Sequence, residues 1–160
     1  RRNKMKKLLL CSIMIVAVSL MLVGCSNSLN IIKLNSKKPN QFYYTSILLE
    51  SLSSERPSKC IITETNFYRE KQLDADTITD IATMFKSLNG KNFISRPNKL
   101  PAKPAYKILL IFKQQKLLVN VYNQQYISVY PWDGEYPMDY IITSKIPISL
   151  NLYNLGNYMF

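Results

Sequence analysis

Residues 106–132 read YKILLIFKQQKLLVNVYNQQYISVYPW, and this stretch decides the fold. It holds three apolar segments, residues 106–112, 117–122 and 126–132, separated by polar runs of three or four residues. In the second segment the odd-numbered residues are all apolar and the even-numbered ones are mixed, which is typical of a strand with one buried face. Connections this short join antiparallel neighbours. The sequence therefore predicts an antiparallel meander of three strands.

An amphipathic helix is predicted in residues 76–88, on the N-terminal side of the meander. Ile78, Ile81 and Phe85 recur at helical spacing on one side, and the opposite side is polar. Asp74 or Asp76 caps its start, and Asn89-Gly90 follows it as a stop. A sheet with one apolar face needs such a helix to cover that face.

The remaining segments complete an α+β fold. Short helices are predicted in residues 44–52 and from Pro147 onward, near the two ends of the domain. Residues 59–68 form a predicted strand, and residues 93–94 and 140–143 are shorter candidates. We therefore predict a small antiparallel sheet of about four to five strands, packed on one face by the amphipathic helix.

The N-terminus has the pattern of an export signal. A basic cluster in residues 1–7 precedes an apolar run over residues 8–23, which is shorter than the about 20 residues that a spanning helix needs. The run ends in Leu22-Val23-Gly24-Cys25, which resembles the lipobox of bacterial lipoproteins at all four positions. The resemblance implies that the Cys25 thiol receives a diacylglyceryl group and becomes the N-terminus after cleavage. A retained membrane helix or an ordinary secreted protein is the alternative.

Three parts of the chain follow from this signal. We expect a signal peptide in residues 1–24, the lipidated Cys25 and a flexible tether in residues 25–41, and a single α+β domain in residues 42–160. The expected location is the extracytoplasmic face of a cell membrane, in a Gram-positive-type envelope. The expected partner there is the lipid bilayer, through acylated Cys25.

Charge and composition narrow the function classes. The formal net charge of +11 falls to +6 without residues 1–24, and the remaining lysines are scattered, so nucleic acid is not an expected partner. The absence of histidine excludes Ser-His-Asp and Cys-His catalysis and imidazole zinc sites. Cys60 lies among apolar residues, which favours a buried structural thiol. No cofactor, metal or catalytic residue is assigned.

One stretch after the meander gathers side chains suited to a ligand. The candidate ligand-binding residues are Trp132, Asp133, Glu135, Tyr136 and Asp139. Aromatic rings stack on sugar faces while carboxylates accept hydroxyl hydrogen bonds, and the same oxygens suit calcium, although an EF-hand pattern is absent. A glycosidase would need two carboxyls across a cleft. The remaining alternative is a turn in which Asp-Gly sets the backbone and the tryptophan plugs the edge of the core.

Tyrosines are abundant in the mature chain and allow two interpretations. They form an exposed recognition surface, or they occupy half-buried sheet positions with their hydroxyls at the rim. The residues in question are Tyr43, Tyr44, Tyr68, Tyr106, Tyr122, Tyr126 and Tyr130.

Several stretches carry a family resemblance. They are residues 100–107, 121–123, 130–134 (Tyr-Pro-Trp-Asp-Gly), 139–141 and 151–155. In this order they are similar to small clostridial lipoproteins classed as a domain of unknown function. The resemblance implies the same architecture and cellular address, and it brings no activity, cofactor or catalytic residue.

The sequence thus favours a membrane-anchored binding or interaction module. Its partner would be an envelope protein or a cell-wall polymer. The alternative function is a histidine-free hydrolase of cell-envelope polymer that works through Asp133, Glu135 or Asp139.

Overall fold

A computed structural model describes residues 37–160 of the chain, with three α-helices and seven strands among them. In chain order the elements are α1 (Tyr43–Ser54), β1 (Lys59–Glu64), β2 (Arg69–Gln72), α2 (Ala75–Lys86), β3 (Phe93–Ile94), β4 (Tyr106–Ile111), β5 (Lys116–Val121), β6 (Tyr126–Pro131), β7 (Asp139–Ile142) and α3 (Leu152–Met159). Two 3₁₀ turns, Gly90–Asn92 and Ile148–Leu150, precede β3 and α3.

The seven strands form one sheet in the order β2-β1-β4-β5-β6-β7-β3, and every neighbouring pair is antiparallel. The predicted meander is confirmed as β4, β5 and β6 at the centre of the sheet. Ile108 lies opposite Val119, and Val119 lies opposite Val129, so the alternating apolar side chains of the three strands lie on the same face of the sheet. We call this the inner face of the sheet and the opposite one its outer face.

The chain is α+β, but the expected sheet of about four to five strands is wrong, because the sheet has seven. The predicted strand over residues 59–68 is β1 followed by a hairpin turn, and β2 completes the hairpin. All four residues of β2 are exposed, so this edge strand has no apolar alternation that could indicate it. Its pairing is set by the neighbouring strand and the turn, not by its own side chains.

A single core lies between the inner face and the helices. Leu48 of α1, Phe85 of α2 and Leu152 of α3 pack in one cluster with the buried residues of the central strands. The predicted amphipathic helix is confirmed as α2, with its ends moved by one or two residues. Its cap is Asp74, whose carboxylate accepts the Thr77 N–H at 2.8 Å, and hydrogen bonds from Thr77 lower the Asp74 pKa.

Cys60 is buried on the inner face of β1, as the sequence predicted. Desolvation raises the pKa of its thiol to about 12. At neutral pH this thiol therefore stays protonated and is a poor nucleophile.

The described part of the chain begins just before α1. Residues 1–36 lie outside it, and with them the predicted signal peptide, Cys25 and most of the predicted tether. The last residues of the predicted tether, Lys37 to Gln41, are part of the compact unit Lys37–Phe160, and the Lys38 ammonium lies 2.5 Å from a carboxylate oxygen of Asp139. Within residues 37–160, none of the helices combines the length and apolar character that crossing a bilayer requires.

Candidate functional site

The turn after β6 presents Trp132 to solvent. The Trp132 N–H donates to the Lys116 carbonyl at 3.0 Å, which extends the β5–β6 ladder by one step. The chain then reverses, and the Gly134 N–H donates to the Pro131 carbonyl at 3.3 Å. Trp132 is 69% exposed, and Asp133 beside it is also exposed. The predicted plug at the edge of the core is therefore not the role of this tryptophan.

Tyr44 of α1 holds the same turn from the inside. Its hydroxyl accepts the Tyr136 N–H at 2.8 Å and donates to the Tyr136 carbonyl at 3.3 Å. Gly134 lies so close that an added Cβ would stand 2.9 Å from the Tyr44 hydroxyl oxygen. The Tyr43 ring meets the Tyr136 ring edge-on, with centroids 5.5 Å apart. The turn is thus docked on α1 and has little freedom to move.

Asp139 lies on the inner face, fully buried beneath the start of α1. Its Oδ2 accepts the Thr45 N–H at 2.7 Å and the Thr45 hydroxyl at 2.8 Å, and its Oδ1 pairs with the Lys38 ammonium. Helix α1 has no side-chain cap of its own at Phe42, so this carboxylate from β7 supplies the missing acceptor at the positive end of the helix dipole.

The structure therefore divides the predicted site into two groups. Trp132, Asp133 and Glu135 are exposed, Tyr136 is half-buried against α1, and Asp139 is buried inside the domain. The three outer residues face solvent, whereas Tyr136 holds the turn on α1 and Asp139 caps that helix. Among residues 37–160 no three Cys, Asp or Glu side chains lie together as a metal-binding group.

The candidate tyrosines are divided as well. Tyr44 and Tyr106 belong to the core, Tyr43 is half-buried on α1, and Tyr68 is exposed in the β1–β2 turn. Half-buried tyrosines remain on the outer face and its margin: Tyr122, Tyr126, Tyr130 and Tyr140. Tyr140 is not in the predicted set of tyrosines. Because residues two apart in a strand share a face, its spacing from Ile142 indicates a position on the same face of the sheet. Tyr122, Tyr126 and Tyr130 thus occupy the half-buried sheet positions of the second interpretation, and Tyr68 is the one member of the predicted set that is exposed.

A family model described as a domain of unknown function, DUF4883, matches residues 38–156. The chain belongs to the DUF4883 family. The match covers the whole sheet and most of α3, and this confirms the predicted membership in a family of unknown function. The lipobox residues lie outside the matched segment.

One solved structure is similar to this DUF4883 chain, the crystal structure of a "Putative Lipoprotein from Clostridium perfringens". The two sequences are 33% identical, the TM-score is 0.67, and the match covers 76% of this chain and 97% of that one. No curated protein matches this chain significantly. The resemblance to clostridial lipoproteins is thereby supported by a neighbour of that description.

Proposed function

We propose that this DUF4883 protein is a lipoprotein, held by acylated Cys25 on the extracytoplasmic face of the cell membrane, where it works as a binding module. The basic cluster, the apolar run and the lipobox support the anchor. The name of the C. perfringens neighbour supports the same class. Two acyl chains hold a protein at a bilayer stably, whereas one holds it only marginally.

The anchor has a direct test. In a bacterial host that processes lipoproteins, the mature wild-type protein is expected to begin at Cys25 and to carry the mass of a diacylglyceryl group. The Cys25→Ser variant is expected to lack that mass and to be absent from the lipid-modified protein that detergent extracts from the membrane. Cys60→Ser is the matched control, because Cys60 is buried and its thiol is protonated. A mature chain with an unmodified Cys25 would contradict the anchor.

The observation that carries the binding function is the exposed Trp132 on a turn fixed from within. A large aromatic ring left in water on a rigid support is pre-organised for a ligand, because little conformational entropy is lost on binding. The neighbouring Asp133 and Glu135 supply carboxylate oxygens that accept hydroxyl hydrogen bonds. This combination fits a sugar-containing polymer of the cell envelope better than an apolar ligand.

The arrangement does not favour the alternative, a carboxylate hydrolase. Such an enzyme needs two carboxyls facing one reacting bond across a cleft. Asp139 is committed to Thr45 and Lys38 inside the domain, so it cannot act together with Asp133 on the outside. We therefore propose binding without hydrolysis.

Replacing Trp132 with alanine tests the binding function. The change is expected to lower binding to isolated cell walls on the order of tenfold or more, because the ring that stacks on sugar is lost. Stability should change by less than about 0.5 kcal/mol, because the ring is exposed. Co-sedimentation with cell-wall preparations measures the first effect and urea unfolding the second.

The matched control is Tyr158→Ala, which removes an aromatic ring that is 88% exposed on α3. This variant should bind cell walls as the wild type does. If Trp132→Ala binds equally well, the turn is not the site. If the wild type does not bind cell walls at all, the polymer is not the ligand.

A further inference from the structure

A second pair of exposed aromatic rings lies at the opposite edge of the sheet from the β3 strand. The hairpin between β1 and β2 turns over residues 65–68, and its Phe67 and Tyr68 are each 77% exposed. Two adjacent rings left in water at the end of a hairpin contribute nothing to the core. Exposed apolar groups of this kind are typical of contact surfaces.

The turn that carries these rings is firmly built. The buried carboxylate of Glu64 accepts the N–H groups of Asn66 and Phe67, each at 3.0 Å, and lies 3.6 Å from the Arg69 Nε. Burial alone would raise the Glu64 pKa, but these backbone hydrogen bonds and the Arg69 charge hold it below its usual value. The Thr65 N–H also bonds the Ala105 carbonyl at 3.0 Å. The rings are therefore presented from a fixed base.

The backbone at Tyr68 is unfavourable for the residue that occupies it. Its φ is +55°, which places a bulky side chain in the left-handed region, the one such case outside glycine among residues 37–160. Glycine would adopt this conformation without the steric penalty. A large aromatic residue kept at a strained position indicates a use for the side chain beyond folding.

Cationic side chains outnumber carboxylates around the pair: Arg69, Lys71 and Lys103 against Glu64 and Glu70. The Arg69 guanidinium lies 5.7 Å from the centre of the Phe67 ring, and the Lys103 ammonium lies 5.2 Å from that of Tyr68. Lys71 lies on the same hairpin, 5.4 Å from the ring of Phe160. Aromatic rings beside lysine and arginine suit the boundary between lipid headgroups and acyl chains, where the rings partition and the cations meet anionic phosphates.

We propose that the hairpin tip, Phe67 with Tyr68, is a membrane contact that enters the headgroup region of an anionic bilayer. The tip acts in addition to the lipid on Cys25 and is a different site from the Trp132 turn. Glu64 is bound within the turn, and Glu70 accepts the Thr63 hydroxyl on the opposite face of β2 from Arg69, so the two rings themselves are flanked by Arg69 and Lys103. The charge therefore favours an anionic lipid surface over a neutral glycan.

The covalent length of the chain allows both contacts on one bilayer. Twelve peptide units separate Cys25 from Lys37, so they span at most about 40 Å. Lys37 borders a surface groove with Arg96 and Tyr140, near the β3 edge, and the tip lies near the β2 edge. Seven strands are about 30 Å wide. The tip can thus reach the bilayer in which Cys25 is held.

Vesicle binding by residues 37–160 tests the proposal without the lipid anchor. This part holds the entire sheet and its core in one compact unit, and 97% of the solved neighbour aligns with 76% of this chain. The domain is expected to sediment with phosphatidylcholine vesicles that contain phosphatidylglycerol, and less with phosphatidylcholine alone. Phe67→Ser with Tyr68→Ser should lower that binding on the order of tenfold, whereas Tyr158→Ser and Trp132→Ala should leave it unchanged.

Tyr68→Gly separates a membrane role from a structural one. It removes the backbone penalty, so the melting temperature should rise, and it removes a ring, so vesicle binding should fall. A purely structural Tyr68 would not give the second effect. Failure of the wild-type domain to bind either vesicle, or equal binding by the double variant, overturns the proposal. If the domain binds cell walls but not vesicles, and the double variant loses that binding, the ligand of the hairpin tip is a polymer and the membrane proposal is wrong.

Discussion

Replacing Asp139 with alanine is expected to lower the free energy of unfolding by about 3 to 5 kcal/mol, the largest effect among our predictions. Three interactions are lost at once, because the carboxylate accepts two hydrogen bonds from Thr45 and pairs with Lys38. The Lys38 side chain is only 16% exposed, so its ammonium would be left largely desolvated without a counter-charge. The first turn of α1 would also lose the one acceptor that caps it.

Urea unfolding of residues 37–160 measures this loss, and two variants serve as references. Lys38→Met should cost less than Asp139→Ala, because the remaining carboxylate keeps both bonds from Thr45. The double variant should cost less than the sum of the two, since the second change removes the charge that the first left unpaired. Lys37→Met is the surface control and should change stability by less than about 0.5 kcal/mol, because Lys37 is exposed. A loss below about 1 kcal/mol for Asp139→Ala would show that the buried pair does not hold the start of α1.

The sheet shows which parts of this fold a single sequence can predict. The central meander was predictable because one face of β5 (Leu117, Val119 and Val121) is wholly apolar and the other is mixed, so the alternation is visible along the chain even though β5 is buried on both faces. Helix α2 was predictable because its apolar spacing and its aspartate cap agree. Strand β2 was not, because its four exposed side chains follow no period, and a strand at an edge is held by pairing on one side only.

The residues of the candidate site, from Trp132 to Asp139, were grouped because they are close in sequence. In the folded sheet they lie apart, because side chains of a strand point alternately to its two faces. Asp139 pairs with Val129, which fixes its side chain on the inner face, whereas Trp132 lies on a turn beyond the end of β6. Residues 139–142 of β7 are mostly apolar on both faces. Their sequence pattern therefore does not show on which face of the sheet the Asp139 side chain lies. Only the pairing register decides it, and register is a property of the assembled sheet.

For the replacement of Gly156 with alanine, helix propensity predicts a gain in stability, whereas the packing in the structure predicts a loss. In an exposed helix, replacing glycine with alanine gains about 1 kcal/mol from helix propensity, and Gly156 does weaken α3 by that criterion. However, an added Cβ at Gly156 would lie 2.4 Å from Cδ2 of Tyr106. We therefore expect Gly156→Ala to destabilise the protein by about 1 to 3 kcal/mol, because the overlap in the core exceeds the gain in propensity.

The ring of Tyr106 cannot easily move away. Its hydroxyl donates to Asn157 Oδ1 at 2.7 Å, and the ring lies between those of Tyr153 and Phe160, at centroid distances of 5.7 and 6.2 Å. Any shift that admits the methyl group must disturb these contacts. The glycine thus allows α3 to approach β4 closely enough for the aromatic rings to pack.

Thermal and urea unfolding of Gly156→Ala measure the effect, with Gly90→Ala as the matched control. A Cβ at Gly90 meets no atom within 4 Å, so that variant should stay within about 0.5 kcal/mol of the wild type. Tyr106→Ala removes the Cγ, Cδ2 and Cε2 atoms that the new methyl group meets, so in that background Gly156→Ala should cost much less or become stabilising. If Gly156→Ala stabilises the wild type, helix propensity dominates and the close packing of α3 on Tyr106 is not a constraint. If its cost is the same in both backgrounds, the loss arises elsewhere in α3.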